Sequence, residues 1–169
     1  MLSIFNNLKL FFEDSYRRIN VREYSRLTKI SPPTASKMLL KFNKEDLLIM
    51  EKDRNYLFYY ANKNNKLFID LSRIYWKLKL DGLINFLNNE LTNPSIILFG
   101  SLSKAEVKED SDIDICIISH KKDLDIEKFE NNLKRKIQLF FFNSIKDIDN
   151  KELTNNILNG YILEGRLKL

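Results

Sequence analysis

Gly100-Ser101, a ten-residue spacer and then Asp112-Ile113-Asp114 join residue types that handle phosphate and divalent cations. On a strand, side chains two apart share a face, so Asp112 and Asp114 project together while Ile113, Ile115 and Ile117 turn into a core. Adjacent carboxylates repel unless a cation lies between them. Magnesium suits the pair, because it takes few carboxylates and completes its shell with water and substrate phosphates. Gly100 ends the apolar run 95–99 and lets the backbone approach a ligand closely. Ser101 can donate its hydroxyl to a phosphate, and a helix starting there would aim free N–H groups at the same place. Together these parts describe a nucleoside triphosphate held by its phosphates over a cation-binding carboxylate pair.

The stretch Phe99-Gly100-Ser101-Leu102-Ser103-Lys104-Ala105-Glu106, continued by Asp110-Ser111-Asp112-Ile113-Asp114, resembles the signature of the polymerase-beta-type nucleotidyltransferases, closest to the minimal members of archaea and bacteria. The resemblance implies an α/β nucleotidyltransferase domain over 93–169. It implies Asp112 and Asp114 as catalytic ligands of magnesium or manganese, and Gly100, Ser101 and Lys104 as nucleotide contacts. It further implies transfer of a nucleoside monophosphate from NTP, with pyrophosphate leaving. Acceptors in that family include side chains of partner toxins, nucleic-acid ends and small molecules.

Two positions depart from the pattern. Active members usually carry a third carboxylate on the next strand, which helps hold the metal and activates the attacking hydroxyl. In Arg135-Lys136-Ile137-Gln138-Leu139-Phe140 the equivalent residue is Gln138. An amide can orient a ligand but cannot accept a proton at neutral pH. Lys104-Ala105 stands where the family often has arginine followed by glycine. Lysine still meets a phosphate as a point charge.

The elements that must position these residues follow from periodicity. Strands are expected at 95–99, over Ser111–Ser119 and at 137–142. A charged helix is expected over 125–136, another near 150–159, and a terminal apolar stretch at Tyr161-Ile162-Leu163. Strands interleaved with helices imply an α/β or α+β sheet domain. Glu106, Glu109 and Asp110 read as a solvated loop, His120 as a surface residue and Cys116 as a small core side chain. Trp76 and the run 140–142 read as core or interface.

The first half has another character. Residues 1–80 carry 16 Lys/Arg against 8 Asp/Glu, and residues 81–169 carry 12 against 15. A basic module attracts phosphate backbones, although an excess of lysine and asparagine could alone produce such a split. Ile4, Phe5, Leu8, Phe11 and Phe12 predict a helix over 3–13. Asn20 caps a short one carrying Val21, Tyr24 and Leu27. Ser31 caps a third over 32–44, opened by Pro32-Pro33, with Ala35, Met38, Leu39 and Phe42 inward. Strands at 47–52 and 56–61 flank the turn Asp53-Arg54-Asn55. Helix, helix, turn, helix and hairpin is the winged helix-turn-helix layout, which places the third helix in the DNA major groove. Residues 1–65 also resemble the winged-helix domain of some archaeal members. The candidate contacts to double-stranded DNA are Ser31, Thr34, Ser36, Lys37, Lys41 and Arg54. Leu67, Phe68, Leu71, Ile74, Tyr75 and Leu78 begin a helical connector over 66–92, broken near Asp81-Gly82.

With 44% hydrophobic and 30% charged residues the composition is globular. The longest apolar runs are far shorter than the ~20 residues of a membrane span. The first residues lack a basic stretch and a small-residue cleavage site, so no secretory signal is expected. One Cys and one His leave no internal disulfide and no zinc cluster. The expectation is a cytoplasmic α+β protein, a homodimer away from membranes, with a nucleotidyltransferase domain behind a DNA-binding one. A second reading is a transcriptional regulator or antitoxin-like module in which the nucleotidyltransferase domain is catalytically degenerate.

Overall fold

The computed structural model describes residues 3–167; Met1 and Leu2, which head the segment read for a secretory signal, lie outside them. The chain divides into two units. One runs to Ser72 and includes Ala105–Glu109, and the other comprises Arg73–Lys104 and the chain from Asp110 onward.

In the first unit, helix α1 (Ser3–Glu13) buries Phe5, Leu8, Phe11 and Phe12, as their spacing requires. A two-residue strand, β1 (Ile19–Asn20), follows. The Asn20 side chain then accepts the Glu23 N–H at 3.0 Å and starts α2 (Val21–Thr28). Such a cap contributes about 1 kcal/mol. Ser31 caps α3 (Pro32–Lys44), whose first positions are the two prolines. Ala35, Leu39 and Phe42 are buried and Met38 half-buried. Strands β2 (Leu48–Asp53) and β3 (Tyr56–Ala61) form an antiparallel hairpin, and β1 pairs with the far edge of β3. Of the apolar residues carried by α2, Leu27 is exposed and Tyr24 fills the interior, donating its hydroxyl to the Asn7 carbonyl at 2.7 Å. The carbonyl of Val107 accepts both the N–H and the hydroxyl of the buried Ser15, at 2.8 and 3.0 Å.

Helix α4 (Lys66–Lys79) spans the division between the units. Leu67, Ile74 and Leu78 are 56%, 40% and 47% exposed, whereas Phe68, Tyr75 and Trp76 are buried. Of the residues that set the expected apolar stripe, Phe68 and Tyr75 are therefore inward and Leu67, Ile74 and Leu78 are not. Trp76, read as core or interface, joins the buried side, where aromatic side chains remove more apolar surface from water.

The second unit continues with α5 (Asp81–Glu90), β4 (Ser95–Phe99), α6 (Gly100–Ser103), β5 (Ile113–Ile118), α7 (Glu127–Leu133), β6 (Ile137–Phe142), a 3-10 turn at Ile145–Asp147, α8 (Lys151–Leu158) and β7 (Tyr161–Glu164). The sheet order is β6-β5-β4-β7, with β5 and β6 parallel and the other neighbours antiparallel. Two elements differ from expectation. Helix α7 is shorter than 125–136, ending at Lys134 in the left-handed region (φ 55°). The terminal apolar stretch is the fourth strand, drawn onto β4. Ile97, Phe99, Cys116 and Ile157 pack into one core with Ile145 and Ile148. Ile96, Leu98, Ile113, Ile115 and Ile117 point to the other face and are also buried. Covered on both sides, β5 is a near-continuous apolar run.

Eight helices and two sheets among the described residues make a mixed α+β chain. No helix among them is long and apolar enough to cross a membrane.

Candidate functional site

The candidate chemical residues meet at one end of the second sheet. Phe99, the last residue of β4, lies opposite Asp114 on β5, and Asp114 lies beside Gln138 on β6. The chain leaves β4 through Gly100, whose φ of 67° belongs to the left-handed region. A side chain there would run into the Asp114 carboxylate, because a β-carbon on Gly100 would overlap Oδ2 and come within 3.1 Å of Cγ. Gly100 thus leaves room for the acid and supplies the backbone angle for a sharp exit into α6. The buried Ser103 hydroxyl donates to the Gly100 carbonyl at 2.9 Å, and Arg73 Nε donates to the Ser103 carbonyl at 2.7 Å. These bonds brace the turn.

Asp112 precedes β5 and does not lie within it. It is held by the residue beside Asp114 in the ladder: Gln138 Nε2 donates to Asp112 Oδ2 at 2.7 Å. Arg135 donates to the Ser111 carbonyl at 2.6 Å and lies 5.3 Å over the Trp76 ring. The segment entering Asp112 is therefore tied at its backbone. Burial first, and then the negative charge of Asp112, raise the pKa of Asp114 above the usual carboxylate value.

Among the described residues no three His, Cys, Asp or Glu side chains cluster as a metal cage. The donor set is two carboxylates and one amide. Two carboxylates beside a turn cleared of side chains fit a single hard divalent cation that takes its other ligands from phosphate and water.

The other nucleotide candidates are nearby in sequence but differently engaged. Ser101 is half-buried in the first turn of α6. Lys104 is exposed, and its ammonium donates to Asn156 Oδ1 on α8 at 2.9 Å. Ala105 adopts φ 56°, the region that favours glycine, so this backbone position has the geometry that a glycine would meet without strain. Glu106, Glu109, Asp110 and His120 are exposed. Cys116 is buried, and burial pushes its thiol up to about 12.

In the first unit, Ser31, Thr34, Lys37 and Lys41 are exposed on α3 or at its cap, while Ser36 is half-buried. Ser31 and Thr34 hydroxyls bond each other at 2.8 Å, and Lys41 Nζ lies 3.8 Å from Glu45. Thr34, Lys37 and Lys41 also border a cavity of about 340 Å³ shared with Ile4, Met38 and Phe42. Arg54 occupies the hairpin turn at φ 52°. The acids beside it are paired with one arginine: Arg18 lies 4.1 Å over the Phe58 ring and donates to Glu51 and Asp53 at 3.0 and 3.2 Å. Sequence reasoning did not single out Arg18, Arg73 or Arg135. Each acts through a backbone or side chain distant in sequence, and no local spacing signals that.

The family described as Polymerase beta, Nucleotidyltransferase matches residues 81–166, just over half of the chain. Two solved structures are similar. One is a toxin-antitoxin crystallised with AMP-PNP, 22% identical, covering 53% of this chain and 73% of its own, with a TM-score of 0.41. The other is a mutant of the toxin-antitoxin MntA-HpeT, 20% identical, covering 51% and 72%, with a TM-score of 0.39. No curated protein matches the chain significantly.

Proposed function

From the premise that the chain belongs to the polymerase beta nucleotidyltransferase family, we propose that it holds a nucleoside triphosphate in the second unit and passes the nucleoside monophosphate to a hydroxyl acceptor. The observation that carries this reading is the seating of Gly100 against the Asp114 carboxylate, with Asp112 held alongside by Gln138. Asp112 and Asp114 would hold the magnesium or manganese ion. When bound, that ion offsets phosphate charge and makes the α-phosphorus more open to attack. Ser101 and the N–H groups of the Gly100 turn bind phosphate oxygens. Lys104, released from Asn156, adds a point charge. The acceptor oxygen forms a bond to the α-phosphorus and gives up its proton to solvent, the α–β anhydride breaks, and pyrophosphate leaves. Labelled ATP or CTP incubated with the protein and magnesium tests this. Label transferred by the wild type, and lost with Asp112→Ala plus Asp114→Ala, supports it; neither binding nor transfer by the wild type overturns it.

Residues 1–65 form, on this proposal, a winged helix-turn-helix that docks on double-stranded DNA, with 66–92 as connector and 93–169 as the nucleotidyltransferase domain. Its support is the basic excess of the first half and the exposed Thr34, Lys37 and Lys41 on α3, with Arg54 at a hairpin tip whose acids are already paired.

A second reading rests on Gln138. Its amide occupies one oxygen of Asp112 and cannot take the proton of an acceptor hydroxyl. The site then binds nucleotide with little turnover, and the protein acts as a DNA-bound nucleotide sensor. Nucleotide binding that survives without detectable transfer to any acceptor supports this version over the first.

A further inference from the structure

The outer edge of β6 offers a backbone surface that the nucleotide site does not use. In the β5–β6 ladder, the Ile113 N–H donates to the Lys136 carbonyl and the Ser119 N–H to the Phe142 carbonyl, both at 2.9 Å. Parallel pairing alternates, so Gln138, Phe140 and Phe142 direct their backbone groups to β5, while Ile137, Leu139 and Phe141 direct theirs away from the sheet. The Ile137 N–H is taken by a Glu130 carboxylate oxygen at 2.8 Å. No strand of the described residues pairs with Leu139 or Phe141 on that side, since β6 ends the sheet.

Proteins usually blunt such an edge with lysine, proline or a bulge. Ile-Gln-Leu-Phe-Phe-Phe contains none of these, and Leu139, Phe140, Phe141 and Phe142 are each only half-buried. An uncharged, apolar edge of this kind draws another strand.

We infer that β6 pairs antiparallel with β6 of a second copy, joining the two sheets into one. The strand is self-complementary in that arrangement. A two-fold axis at Phe140 sets Leu139 opposite Phe141 of the second copy, and the reverse. Each residue then exchanges both its outward N–H and its outward C=O. Charge selects the same direction. The basic run Lys134-Arg135-Lys136 precedes the strand, and Asp147 and Asp149, with Lys146, follow it. Antiparallel copies lay each basic end toward an acidic end, whereas parallel copies would set like ends together. The two Phe140 rings meet across the axis, next to Phe99, whose ring centroid is 5.3 Å from that of Phe140. This interface is independent of the nucleotide reading.

Sedimentation of the full chain at micromolar concentration, for the wild type, Phe141→Lys and Leu139→Pro, tests it. Proline at 139 removes an outward N–H and leaves the β5 ladder intact. The expected result is a wild-type dimer and a shift to monomer in both variants, with the thermal melt otherwise cooperative. A monomeric wild type overturns the inference. So does a dimer that persists in both variants, which would place the interface elsewhere, for example on the exposed Leu67, Ile74 and Leu78 of α4. If the variants fail to fold, hydrogen exchange on the wild type decides. Protection of the Leu139 and Phe141 amides that grows with concentration supports the pairing; fast exchange of both at every concentration refutes it.

Discussion

Gly100 and Asp114 share one space: the α-carbon of the first lies so close to the carboxylate of the second that no β-carbon fits between them. The turn that would meet phosphates and the acid that would meet a cation are thus parts of one packing contact, set by the pairing of Phe99 with Asp114.

Gly100→Ala therefore acts twice. The left-handed φ of 67° alone costs a non-glycine residue about 1–2 kcal/mol, and the methyl group pushes Asp114 aside. Lower thermal stability together with loss of magnesium-dependent nucleotide binding is expected, by melting and by equilibrium dialysis. Unchanged binding would show that the Gly100–Asp114 contact does not shape the site.

Asp114→Asn is expected to raise stability. The folded-state pKa of Asp114 is raised by burial and by Asp112. Between its unfolded and folded values the native state holds more protons, so stability falls as pH rises through that window and stays lower above it. In the absence of divalent ions the variant should melt higher than the wild type near neutral pH. The difference should close as pH falls below the ordinary aspartate range. A variant that melts lower at neutral pH contradicts the cost of a buried Asp114 carboxylate beside a second acid.

Gln138→Glu adds a third acid beside Asp112 and Asp114. Without divalent ions it should melt lower than the wild type, since like charges are brought together. With magnesium and NTP the melt should recover, and transfer should rise on the order of a hundredfold, as expected for a gained proton acceptor. No change in transfer would mean that position 138 is not the limiting defect.

On DNA, Lys37→Ala should weaken binding more than Lys41→Ala, because Lys41 is already shared with Glu45. Loss of one phosphate contact lowers the slope of log affinity against log salt by about 1. Fluorescence anisotropy on a duplex at several salt concentrations measures both effects. Equal, negligible effects of Lys37→Ala and Arg54→Ala would argue against docking through α3 and the hairpin.

The sheet end was legible in sequence because its determinants are local. A glycine-serine exit, an alternating strand and an apolar partner strand carry their own periodicity, and the caps at Asn20 and Ser31 are three-residue signals. What was not legible depends on tertiary competition. The stripe read on α4 mixed aliphatic and aromatic positions, and only the packed core shows that Phe68 and Tyr75 stay inward while Leu67, Ile74 and Leu78 are left exposed. β7 is short and pairs only because β4 has a free edge. Asp112 lies just before the strand, and the bonds that hold it there, from Gln138 to its carboxylate and from Arg135 to the Ser111 carbonyl, are not signalled by local spacing. The residue that looked like a deficiency in sequence is, in the fold, the one that orients the first acid.

Equilibrium dialysis of radiolabelled ATP and CTP against the wild type and the Asp112→Ala, Asp114→Ala double variant, with magnesium and then with EDTA, reaches the central claim most directly. Saturable binding by the wild type that needs the divalent ion and disappears in the double variant is the expected result. Binding that is indifferent to magnesium and to both acids, or no binding at all, would contradict a nucleotide site built on Gly100, Asp112 and Asp114.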